Sequence, residues 1–152
     1  MDSPLKSDKA AISGFSLVEL LVALGIGGLL LTLSASAYGG FKTHENLQIA
    51  TMGVVEAIRH AQANAQTGKN DSAWGVKVLT GEAVVFKGSD YAGRVASADQ
   101  SLGLPGDISV TGLSEIVFAK VSGAPNTTGT TTLTNESGVQ HIFINDKGTL
   151  TY

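Results

Sequence analysis

The sequence predicts an α+β fold in which one long N-terminal helix, transmembrane in its first half and amphipathic in its second, packs against an antiparallel β-rich head. Three observations point to it. Residues 15–33 form an almost uninterrupted apolar run, and residues 47–65 carry apolar side chains at helical spacing. Residues 68–152 hold twelve of the nineteen glycines, placed between short β-like runs. At 152 residues the chain has room for one compact domain and an extended element.

The composition removes several classes of function. Hydrophobic residues make up 43% and charged residues 15%, too apolar for a chain disordered throughout. A formal net charge of -3 gains nothing from phosphate counterion release, which argues against a dominant nucleic-acid role. With no cysteine there is no disulfide framework, thiol nucleophile, thiolate metal site or lipoprotein anchor.

The first element reads FSLVELLVALGIGGLLLTL from Phe15 to Leu33, with Glu19 its one ionisable residue. At about 1.5 Å per residue it roughly matches a ~30 Å hydrocarbon core. Three readings compete for it. A secretory signal would use Lys6 and Lys9 as its basic region and Ala35-Ser36-Ala37 as its cleavage site, but the run is long for such a signal and Glu19 has no use there. A plain membrane anchor explains the length and the basic flank, and again leaves Glu19 without a partner. Cleavage between Gly14 and Phe15 supplies that partner, because it creates an α-amino group four residues before the carboxylate.

The stretch Gly14-Phe15-Ser16-Leu17-Val18-Glu19, continuing into Leu20-Leu21-Val22-Ala23-Leu24, closely resembles the N-terminal signature of type IV prepilins and type II secretion pseudopilins. The resemblance implies that a prepilin peptidase removes a leader, residues 1–14, by cutting after Gly14, and methylates Phe15. It implies that Glu19 guides docking into a growing filament. It also implies the partners: other pilin or pseudopilin subunits, an inner-membrane assembly platform, and membrane lipid before assembly. Prepilin leaders often place a basic residue beside the glycine; here Ala10-Ala11-Ile12-Ser13 intervene after Lys9, and the cleavage site is unchanged.

Beyond Gly39-Gly40 the pattern becomes periodic, with Leu47, Val54, Ile58, Ala61 and Ala65 forming an amphipathic stripe. Gly68 and Asn70-Asp71 supply a stop near Thr67. The stem is therefore read as 15–67, with 15–38 as membrane or filament core and 41–67 as the half packed on the head. Gly25, Gly27 and Gly28 each cost about 1 kcal/mol in a helix interior, and Gly39 and Gly40 make a second weak point. These glycines either allow close packing of neighbouring helices or let residues 25–40 unwind when the subunit leaves the bilayer.

The head, 68–152, is read with strands at Trp74–Leu79, Ala83–Lys87, Ile108–Val110, Glu115–Val121, Thr130–Thr134, Val139–Ile144 and Thr149–Tyr152, the last two joined at Asp146-Lys147-Gly148. Val76, Val78, Val85, Phe86, Val117, Ile142 and Ile144 are expected to face the helical stripe, with Trp74 at the junction of stem and sheet. The helix end Glu56-Ala57-Ile58-Arg59-His60-Ala61-Gln62 and the terminal Ile142–Gly148 hairpin look like the H-type pseudopilin and related minor-pilin domain.

Chemistry of other kinds has little footing. No two of His44, His60 and His141 have the i, i+4 spacing of a helical zinc site, and Glu56 with His60 reads as a surface helix pair rather than a metal or acid-base site. No nucleophile elbow or phosphate loop is present, so neither enzymatic activity nor a cofactor is expected. Asp90, Asp99 and Asp107 lack calcium-loop spacing and read as solvated turns. The sequons at Asn70, Asn126 and Asn135 are frequent by chance, and Thr127–Thr134 reads as an exposed β-edge or an O-glycosylated surface.

The expected function is thus a structural subunit of a pilus or secretion pseudopilus, single-pass in the inner membrane with its head outside, then part of an extracellular or periplasmic filament. The rival is a secreted or membrane-anchored β-domain binding module, released by ordinary signal peptidase after Ala37. A lesser alternative is a DNA-uptake minor pilin. After leader removal only Arg59, Arg94 and six dispersed lysines remain, which form no basic stripe for it.

Overall fold

The computed structural model describes residues 14–152, with side chains described for all of these except 34–40. Lys6, Lys9 and the rest of the leader before Gly14 lie outside the described residues. Helix α1 spans Leu17–Gln66, and the chain divides into two compact units between Tyr38 and Gly39, at the glycine pair.

In the first unit the described side chains of α1 are apolar except Glu19 and Thr32. Phe15, Leu17, Leu21, Leu24, Leu29 and Leu33 are all exposed, Phe15 at 83%, as is the rest of the run except half-buried Gly27. Among the described residues no helix is long and apolar enough to cross a membrane, and the side chains of this run are described only as far as Leu33.

The second unit combines the rest of α1 with two antiparallel sheets. The first sheet has the order β3-β2-β1-β5, from β1 (Trp74–Leu79), β2 (Glu82–Lys87), β3 (Gln100–Gly103) and β5 (Glu115–Phe118). The second has the order β4-β6-β7-β8, from β4 (Ser109–Gly112), β6 (Gly129–Asn135), β7 (Gly138–Ile144) and β8 (Leu150–Thr151). One core joins the helical stripe Leu47, Val54, Ile58, Ala61 and Ala65 to both sheets. Trp74, Val76, Val85 and Ile116 come from the first, Leu133, Ile142 and Ile144 from the second. Covering two sheets widens the buried face of α1 beyond a single stripe, so Ala50, Val55 and Ala57 are buried as well.

Phe86 and Val117 depart from the expected arrangement. Both are buried, but register sets each opposite Gly75, on the face of the first sheet turned away from Val76, Val85 and Ile116. A segment crossing behind β2 covers them there. Tyr91 meets Phe86 edge-on at 5.5 Å between centroids, Arg94 stacks on Tyr91 at 3.8 Å, and the Arg94 Nε donates to Asp99 at 2.7 Å. That bond raises the Arg94 guanidinium further above its usual range. The space for Phe86 exists because residue 75 has no side chain: a Cβ there would strike the Phe86 ring and stand 2.9 Å from the Ile116 carbonyl.

The strand read as Glu115–Val121 stops at Phe118. Val121 turns into the left-handed region at φ 71°, rare for a β-branched residue, and its N–H donates to the Ala65 carbonyl at 2.8 Å. This loop caps the C-terminus of α1, which ends at Gln66 with Gly68 at φ 62°. Lys120 pairs beside it with Asp71. The expected β-edge at Thr127–Thr134 is also corrected, because β6 lies inside its sheet between β4 and β7. The final hairpin closes on Asn145, whose Oδ1 accepts from the N–H groups of Lys147 and Thr149 at 3.0 and 2.9 Å.

Two predictions test this packing. Gly75→Ala should lower stability by about 1–3 kcal/mol in chemical denaturation, through overpacking against Phe86 and the Ile116 carbonyl. The bond from Lys120, aided by its charge, holds the Asp71 carboxyl below the usual aspartate range. A carboxyl depressed in the folded state contributes stability above its unfolded pKa, and that contribution disappears as pH falls through the lower folded value. In an NMR titration of the Asp71 carboxyl carbon, Lys120→Ala should move the midpoint up to the ordinary range. Because Asp71 is 89% exposed, the accompanying change in acid stability should be small.

Candidate functional site

The residues that carry chemistry lie at the start of α1. Gly14 is exposed and in no regular structure. The Ser16 carbonyl accepts the first helical bond, from the Leu20 N–H at 3.1 Å, which makes Ser16 the N-cap and Glu19 the third residue of the first turn. An anion there faces the positive end of the helix dipole. Ser16 and Glu19 also have the capping-box spacing.

Glu19 thus lies at the helix terminus in the intact chain. The Phe15 nitrogen is a different matter, being an uncharged amide in the intact chain. Cutting after Gly14 turns it into a basic α-amine, able to carry a proton, one turn from the carboxylate in sequence. The arrangement can thus change its net charge by one unit through a single peptide-bond cleavage.

The glycines of the stem are helical in this structure. A Cβ added at Gly25, Gly27 or Gly28 would meet open space, so no described neighbour requires a glycine at any of them. Gly39 and Gly40 continue the helix at the boundary of the two units.

Other candidate groups are scattered. His44 pairs with Gln48 at 3.1 Å and His141 with Thr132 at 3.1 Å, while exposed His60 and Glu56 edge a surface groove. Asp90 accepts from the Gly93 N–H, Asp99 binds Arg94, and Asp107 accepts from Asn46 and Asn135. The three carboxylates do not converge, and the described residues contain no group of three or more His, Asp or Glu able to hold a metal. Lys77, Arg94 and Lys120 form ion pairs, and Lys69 lies 5.2 Å over Trp74. Trp74 is a core residue, its indole N–H donating to the Lys69 carbonyl at 2.9 Å.

Comparison with protein families places a match on this N-terminal segment. Residues 9–35 fit the prokaryotic N-terminal methylation motif, the prepilin-type signature. No curated protein and no solved structure matches the chain.

Proposed function

We propose that this chain, carrying a prepilin-type methylation motif, is cut between Gly14 and Phe15, methylated on Phe15, and built into a pilus- or pseudopilus-like filament as a structural subunit. The observation that carries the reading is the coincidence of that motif with a helix whose described side chains from Leu17 to Leu33 are exposed and, save for Glu19 and Thr32, apolar. Such a surface needs cover. The inner membrane supplies it before assembly, with the head outside, and neighbouring stems supply it within the filament.

Glu19 makes the docking selective. Moving a carboxylate from the edge of a bilayer into packed apolar stems is costly unless an opposite charge meets it. The Phe15 amine of a processed neighbour is such a charge, and the pair is satisfied only at one axial offset between subunits. Methylation leaves the amine able to carry its proton. The head takes no catalytic part, and the glycines at 25, 27, 28, 39 and 40 let the stem adjust locally as its surroundings change from lipid to protein.

The rival reading, release by ordinary signal peptidase after Ala37, gains support from one observation: every described buried hydrophobic residue lies at Leu47 or beyond, so removal of residues 1–37 leaves that core intact. Mass analysis of the mature N-terminus separates the two. The expected result is a chain starting at N-methylated Phe15, and a chain starting at Tyr38 would overturn it. Glu19→Ala should reduce incorporation into filaments about tenfold or more, as expected for losing a buried charge-assisted hydrogen bond of about 1.5–3 kcal/mol. Undiminished incorporation, measured as the fraction of this subunit in sheared filaments, would sink the amine-carboxylate docking.

A further inference from the structure

The fold treats the three Asn-x-Ser/Thr sequons, at Asn70, Asn126 and Asn135, differently. Asn135 is a structural clamp: its Nδ2 donates to the Thr43 carbonyl of α1 at 2.7 Å and to Asp107 at 3.3 Å. Its Oδ1 accepts from the Ser137 N–H and hydroxyl at 2.9 and 2.7 Å, so the amide nitrogen and the hydroxyl of this sequon are both engaged. Asn126 extends the first sheet alongside β5. Pro125 bridges to Phe118, the Asn126 N–H donates to the Val117 carbonyl at 2.8 Å, and the Asn126 Oδ1 accepts from the Val117 N–H at 3.0 Å. Drawing either of these sequons into an enzyme would leave polar groups of the head without their partners.

Asn70 has no such duty. It lies in the short connection from α1 to β1, is exposed, and its side chain makes no hydrogen bond to a described residue. Asn70 and Asp71 both sit in the left-handed region, at φ 56° and 55°, held by a local bond from the Asp71 N–H to the Gly68 carbonyl at 2.9 Å. Side-chain-bearing residues enter that region at a cost, so opening the turn relieves backbone strain. The tie from this sequon to a distant segment is the Lys120–Asp71 pair, on the 89% exposed Asp71. Ser72 is already extended, at φ -140° and ψ 161°, and its hydroxyl is likewise unbonded to any described residue.

We propose that Asn70 is an N-glycosylation site, which takes a sugar from a diphosphate-activated donor. The Asn70 Nδ2 forms the new bond to the anomeric carbon. The bond from that carbon to the donor's phosphate oxygen breaks, its electron pair leaving on the diphosphate, and the amide nitrogen gives up one proton. Ser72 supplies the hydroxyl that completes the recognised triplet. The diphosphate belongs either to a nucleotide or to a membrane lipid, and the acceptor chemistry is the same for both. The Lys120–Asp71 pair brings the loop of Val121 beside this turn, so an attached sugar also gives cover to a valine that is 67% exposed. The site does not depend on polymerisation of the chain.

The test is glycopeptide mass analysis of the full chain isolated from the cells that naturally produce it, alongside Asn70→Gln and Ser72→Ala made in the same cells. The expected result is a sugar on the peptide that contains Asn70, with Asn126 and Asn135 bare. Asn70→Gln should abolish it, and Ser72→Ala should lower its occupancy at least tenfold with Asn70 still in place and no loss of folded protein. A single sugar already present on chains that retain residues 1–14 supports the site and identifies a nucleotide donor. An oligosaccharide confined to chains that lack those residues supports it equally and identifies a lipid-linked donor. Asn70 found unmodified, sugar on Asn126 or Asn135 or on hydroxyl groups alone, or occupancy unmoved by Ser72→Ala would each overturn the proposal.

Discussion

Between Leu47 and Ala65 one helix serves two sheets, and the rest of the head depends on that shared burial. Ile58, Ala61 and Ala65 are fully buried, as are Val76 of the first sheet and Leu133 of the second. A sheet hydrophobic on one face needs cover, and α1 contributes to the core that covers both. The small side chains Ala50, Ala57, Ala61 and Ala65 let strands approach the helix, while Val54, Val55 and Ile58 supply the volume. At about 25 cal/mol per Å² of apolar area buried, this face outweighs the weak intrinsic preferences of short strands such as β4 and β8.

The same helix obeys a different rule before Tyr38. There it has no described core to enter, and its leucines are exposed all round. Helix propensity alone does not explain such a segment, because Gly25, Gly27 and Gly28 weaken it and no described neighbour makes use of their small size. The chain thus divides by environment as well as by contacts: the second unit carries its own cover, and the first requires one from outside. The proposed function uses both halves, the first for packing in membrane or filament and the second as a self-covered head.

Much of this was legible in the residues. The Gly14–Glu19 pattern, the helical stripe and the stop at Gly68 are local signals, and each acts within a few positions of its cause. What escaped the sequence reading depended on partners distant along the chain. Gln100–Gly103 has neither alternation nor β-branched residues, and becomes a strand because β2 offers a free edge beside it. Val121 looks like the end of a strand by composition, yet its N–H is taken by the Ala65 carbonyl of α1. Phe86 and Val117 read as core residues, but a register set by β1 turns them to the other face. Their second small core exists because Tyr91 and Gly75 meet there from separate elements.

The placement of Glu19 links these levels. It is the third residue of the first turn, where a carboxylate faces the positive end of the helix dipole. The complementary charge is absent until the bond between Gly14 and Phe15 is cut. On the proposed function an unprocessed subunit therefore brings Glu19 to the packed stems without an α-amine at Phe15 to meet it. A processed subunit carries both. On that proposal, selection for cleaved chains draws on one nitrogen that changes from amide to amine, beside any steric block from the leader.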